Sequence, residues 1–95
     1  MDYDWIRSTV DRVVCTAPTW ISTIIITPSS ASKKADITLY DGESTSDPQI
    51  LKVMGGTGEN KVIRFDPPLK TKRGLYLDVG GDCQEVVIQF YWEYE

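Results

Sequence analysis

The sequence predicts an all-β fold: an antiparallel two-sheet β-sandwich, jelly-roll-like, with about seven to eight strands and little or no helix. Three observations predict it. Two segments, Asp36-Ile37-Thr38-Leu39-Tyr40-Asp41-Gly42 and Arg73-Gly74-Leu75-Tyr76-Leu77-Asp78-Val79-Gly80-Gly81-Asp82, set alternating apolar residues between Gly and Asp turn residues. That is the pattern of half-buried antiparallel strands. The apolar residues are β-branched or aromatic to an unusual degree, which favours strands over helices. No stretch sustains a 3.6-residue period.

The elements follow in chain order. Residues 2–7 mix Tyr3, Trp5 and Ile6 with acids, and read as a short strand or as an arm that packs on a neighbouring subunit. Residues 10–16 read as a first strand, ended by Pro18. Residues 20–27 (Trp-Ile-Ser-Thr-Ile-Ile-Ile-Thr) are apolar on both faces, which predicts a central strand covered on both sides. One face would carry Trp20, Ser22, Ile24 and Ile26, and the other Ile21, Thr23, Ile25 and Thr27. After a polar loop, residues 35–41 form a strand with Ile37 and Leu39 inward. Residues 50–54 and 61–65 read as two more strands, separated by a flexible Gly55-Gly56-Thr57-Gly58 loop. Asp66-Pro67-Pro68 is expected to leave the sheet, because proline cannot donate to a ladder. Residues 75–79 point Leu75, Leu77 and Val79 inward. Residues 85–94 are the longest strand, with Val86, Ile88, Phe90, Trp92 and Tyr94 in one apolar row.

A chain of 95 residues is one domain, residues 1–95, with 1–9 as a candidate N-terminal arm. A domain this size buries roughly 60–65% of its unfolded surface, enough for one modest core. Lys and Arg number 10 against 14 Asp and Glu, a formal net charge of −4. That balance argues against a nucleic-acid partner, which calls for a basic face. The acidic start has the look of no signal peptide, and the longest apolar run, residues 20–26, is too short to span a bilayer. We therefore expect no membrane association and no secretion. The two cysteines, Cys15 and Cys83, read as buried free thiols, or as a disulfide should the first and last strands meet.

The chemistry of catalysis is thinly represented. There is no histidine, which removes the usual general base and the commonest metal ligand. Asp41 with Glu43, and Asp78 with Asp82, flank glycine turns and read as turn caps, with a calcium site as the alternative. Gly55–Gly58 lacks the Lys-Ser/Thr and the helix of a phosphate loop. No catalytic residue, cofactor or metal is therefore expected. The aromatic residues at the two ends, Tyr3, Trp5, Tyr91, Trp92 and Tyr94, exceed what a small core can hold. Exposed Trp and Tyr are enriched at protein interfaces. The basic residues Lys70, Lys72 and Arg73 would be charge partners for an acidic surface.

Residues 35–95 also carry a resemblance. The stretch Ile37-Thr38-Leu39-Tyr40-Asp41-Gly42-Glu43-Ser44-Thr45-Ser46 is followed by apolar Ile50-Leu51, a Phe65-Asp66-Pro67-Pro68-Leu69 exit, the Gly74–Val79 strand and a valine-rich last strand. This wording resembles small β-sandwich structural proteins of tailed bacteriophages. The resemblance implies a non-enzymatic virion protein assembled in the host cytoplasm: a capsid decoration (cement) protein binding the major capsid protein, commonly as a homotrimer. A head–tail connector or tail component is the alternative within that family. Outside it, exposed aromatics would also suit a carbohydrate-binding or other ligand-binding module.

Overall fold

The computed structural model describes residues 2–92, with side chains from Asp4 onward. Its strands are β1 (Asp2–Ser8), β2 (Arg12–Cys15), β3 (Thr19–Pro28), β4 (Lys34–Tyr40), β5 (Gln49–Thr57), β6 (Lys61–Lys70), β7 (Leu75–Val79) and β8 (Cys83–Trp92). They form two four-stranded sheets, ordered β1-β8-β3-β6 (sheet A) and β2-β7-β4-β5 (sheet B). Every pairing is antiparallel: β1 with β8, β2 with β7, β3 with β6 and β4 with β5, joined by β3 with β8 and β4 with β7. The chain is thus one long hairpin wrapped over itself, the winding of a jelly roll.

The alternation read from the sequence sets the core. Ile37, Leu39, Leu75 and Leu77 from sheet B are fully buried. They face Ile21, Ile24, Ile26, Val86, Ile88 and Phe90 from sheet A. Each such side chain gains roughly 1.5–3 kcal/mol on leaving water. No buried side-chain polar atom among the described residues lacks a hydrogen-bond partner. Both cysteines are free thiols, Cys83 buried and Cys15 half-buried. Burial pushes the Cys83 thiol pKa up.

Four details differ from the sequence reading. A bulge between Ile21 and Thr23 shifts the phase of β3. Ile21 therefore joins Ile24 and Ile26 in the core, and Trp20 turns outward with Thr23 and Ile25. The outer face of β3 is not covered by any other part of the described chain, so the strand is central in its sheet but buried on one side only. Gly55 to Thr57 extend β5 rather than forming a loop, and the hairpin tip falls at Gly58, whose φ of 70° favours glycine. The prolines do not end β6. Its ladder to β3 lapses after Arg64 and resumes at Leu69, so Pro67 and Pro68 sit in a gap on an edge strand where no donor is needed. Residues 2–8, read as strand or arm, form edge strand β1 on β8 of the same chain. β8, expected to be the longest strand, begins at Cys83 and has ten described residues, the same as β3 and β6, and its expected end at Tyr94 lies outside the described residues.

Candidate docking surface

The register of sheet A places side chains on its outer face in rows across the strands. One row crosses Trp5, Gln89, Thr23 and Arg64 on β1, β8, β3 and β6. The next crosses Arg7, Val87, Ile25 and Val62, and another Tyr91, Trp20 and Lys70. The apolar members of these rows belong to no core. Trp5 is 65% exposed and Val62 51%. Trp5, Thr23, Ile25, Val87 and Gln89 line a shallow open groove.

The row nearest the sheet end is joined by ring contacts. The Trp20 and Tyr91 rings stack with centroids 5.4 Å apart and planes within 4°. The Lys70 ammonium sits 4.7 Å from the centroid of the Trp20 ring, within cation–π range. Ser22 Oγ donates to the Gln89 carbonyl at 3.1 Å, tying β3 to β8 between the rows. Arg7 donates from Nε to Glu85 at 2.6 Å, so this cation is already paired. Arg64 and Lys70 have no carboxylate partner among the described residues. The face is therefore aromatic and apolar at its centre, with a cationic margin.

The interface residues expected from the sequence divide into groups. Trp5, Tyr91 and Lys70 share this face. Trp92 does not. It lies on the opposite side of β8, packed against the core and tilted on Phe90 with centroids 5.6 Å apart. There it lines a slot between the sheets with Asp4, Ile6, Val14 and Cys15. Its place in the alternation, two residues after Phe90, is the physical reason. Lys72 and Arg73 sit in the β6–β7 loop, where their backbone N–H groups donate to the Asp41 carboxylate at 3.0 and 2.8 Å. The Arg73 guanidinium lies 3.7 Å from Asp47. The backbone of Tyr3 pairs with Tyr91, but its side chain and the whole of Tyr94 lie outside what the structure describes. Trp20, Ile25, Val62, Val87 and Arg64 complete the face, and the sequence reading did not single them out. The bulge hid Trp20 and Ile25, and the cross-strand row is visible only once register is known.

The outer face of sheet B has the opposite character. Asp36, Thr38 and Tyr40 alternate with buried Ile37 and Leu39, and Tyr76 and Asp78 with Leu75 and Leu77. The Asp11 carboxylate accepts the Val79 N–H at 2.6 Å and lies against Asp78. Burial, then the charge and hydrogen bond of Asp11 and the charge of Asp36, raise the Asp78 pKa, with Lys52 opposing. Tyr40 and Tyr76 meet with centroids 6.2 Å apart, and Met54 beside Asp36 is 57% exposed.

The turn acids are occupied structurally. Asp41 accepts N–H groups from Arg73, Lys72 and Gly74. Burial opposes its ionisation, but these three donors outweigh it and hold the carboxyl below its ordinary range. Asp47 accepts from the Glu43 and Ser44 N–H groups at 2.8 and 3.2 Å. Among the described residues no group of three or more carboxylates, thiols or histidines could hold a metal ion.

Fold and surface together define a class: a jelly-roll sandwich with one aromatic, cation-edged sheet face and one acidic one. No family model matches the chain, and no curated protein matches it.

Proposed function

We propose that the protein is a non-enzymatic structural subunit that docks on another protein through the outer face of sheet A. The observation that carries this is the row of Lys70, Trp20 and Tyr91 beside the exposed Trp5. Stacked and strand-anchored rings lose little side-chain entropy on binding and bury large area, which is why Trp and Tyr dominate interface energetics. The face is open and only shallowly grooved rather than a deep cleft, which suits a broad protein contact of roughly 800 Å² per partner.

The sequence resemblance over residues 35–95 supports a virion as the setting, with the outside of the capsid as the docking site. Jelly rolls recur in viral coat proteins and in lectins, an analogy of fold alone. Decoration would act by adding buried interface across neighbouring capsid subunits, many weak contacts acting together.

Particles assembled with and without the protein, compared by electron microscopy and heat challenge, test the proposal. Loss of an outer layer together with fragile heads is the expected result. Tailless heads would move the assignment to a head–tail component. Particles unchanged in form and stability would overturn the virion role. A glycan array bound through Trp5 and Trp20 would replace it with carbohydrate recognition.

A further inference from the structure

We propose that the outer face of sheet A docks on the outer face of sheet B of a second copy of this chain, building an open face-to-back stack. The inference rests on reading sheet A as a docking face, and it names the occupant.

Charge complementarity is the main argument. The chain is acidic overall, at −4. Its charges are nevertheless segregated by sheet. Among the described residues, sheet A presents Arg64 and Lys70 without acidic partners, and the outward acid Glu85, toward the other end of the sheet, is held by Arg7. Sheet B, among the described residues, presents Asp11, Asp36 and Asp78 against Lys34 and Lys52, and so remains acidic on balance. Two copies meeting through their A faces would set cation against cation, and two B faces would set one net-acidic surface against another. Only A against B pairs opposite signs, and electrostatic matching of this kind selects partner and register.

The apolar content matches as well. Val62 and Trp5 are exposed on one face, and Met54 and Val13, 57% and 37% exposed, on the other. Four strands of up to ten residues, about 3.3 Å per residue and about 4.8 Å apart, give a face of roughly 600 Å² in projection, on the scale of the roughly 800 Å² that each partner gives to a stable contact. A contact between two different surfaces is heterologous. Because the two faces lie on opposite sides of one sandwich, successive copies add along a line and do not close into a compact trimer. The stack always leaves one A face free at its end, available to a different virion protein.

Sedimentation at low salt, from micromolar to millimolar protein, provides the test. Wild type should grow in mass with concentration and disperse at about 0.5 M salt, where screening acts within a few ångströms. Two charge-reversed proteins carry the geometry: Val62→Glu with Arg64→Glu on sheet A, and Met54→Arg with Asp78→Lys on sheet B. The first three positions are exposed, and circular dichroism confirms folding. If Asp78→Lys unfolds the second protein, Met54→Arg alone serves. Each alone should associate at least roughly tenfold more weakly than wild type, and an equimolar mixture should regain assembly. Wild type that stays monomeric at millimolar concentration overturns the stack, as does either variant assembling alone like wild type. A monomer that still adds to heads would leave the docking face standing and remove only self-stacking. Failure of both would remove the docking face too.

Discussion

Trp20 and Tyr91 stack within 4° of parallel on neighbouring strands, on the side of sheet A that faces away from the core. A stack placed there adds little to core packing. It holds two large rings and the Lys70 ammonium in a fixed array at the surface. Trp5, by contrast, stacks on no other ring among the described residues and is 65% exposed on the edge strand.

These two tryptophans should separate in mutation. Trp20→Ala removes an aromatic pair worth about 0.5–1.5 kcal/mol beyond its buried area, and should lower stability by roughly 1–2 kcal/mol. Trp5→Ala should change it by less than about 0.5 kcal/mol. Urea unfolding followed by circular dichroism measures both. Equal losses would mean that the stack is not held in solution.

Asp41 should be the most stabilising of the turn acids. Asp41→Asn leaves the Lys72 and Arg73 N–H groups with a weaker acceptor, and Asp41→Ala with none. The alanine variant should lose about 1.5–3 kcal/mol at neutral pH, the range for hydrogen bonds to a charged group. The folded-state pKa lies below the ordinary 3.8. Its contribution is therefore present above that value and disappears as pH falls through the folded one. The gap between wild type and Asp41→Asn should narrow in acid, and a gap that does not change with pH would contradict the capping role.

Asp78 carries the opposite sign. Its pKa is raised above 3.8, so the folded state favours the protonated form. The stabilisation is complete below the unfolded value and is lost as pH rises through the folded one. At pH 7 the charge faces Asp11 and Asp36, with Lys52 as partial relief. Asp78→Asn should raise stability at neutral pH by about 0.5 kcal/mol, the scale of a like-charge surface pair. Thermal melts across pH should show that gain shrinking as pH falls through the raised folded value, where the wild-type carboxyl also becomes neutral.

Two glycines offer a matched pair. A Cβ on Gly74 would lie 2.6 Å from the Cys15 carbonyl oxygen and 3.2 Å from that of Gly42. Both are backbone atoms that cannot swing aside. Gly74→Ala should cost about 1–3 kcal/mol, as overpacking does. A Cβ on Gly81 meets nothing within 4 Å. Gly81→Ala should be close to neutral, and its melting temperature is the control for the first.

The inward set Ile37, Leu39, Leu75, Leu77, Val86, Ile88 and Phe90 was legible because side chains in a strand alternate strictly between two faces. The same rule failed at Trp20. One extra residue in a bulge reverses the phase of all that precedes it, and three consecutive isoleucines give no alternation from which to notice. Proline at 67 and 68 was read as an exit from the sheet, because the sequence does not say that β6 is an edge strand. Trp92 was grouped with the terminal aromatics by its position in the chain, although its parity with Phe90 already pointed it inward.

Local periodicity thus settled the all-β class, the strand content and most of the core, since these depend on geometry repeated every two residues. The docking face had a different origin. Lys70, Trp20, Tyr91 and Trp5 come from four strands spread over the whole chain, and nothing local relates them. The wrapping of the hairpin brought β1, β8, β3 and β6 side by side and set the register that aligns these side chains. The same wrapping left their outer face uncovered and sent the acidic residues of β4 and β7 to the other side of the sandwich.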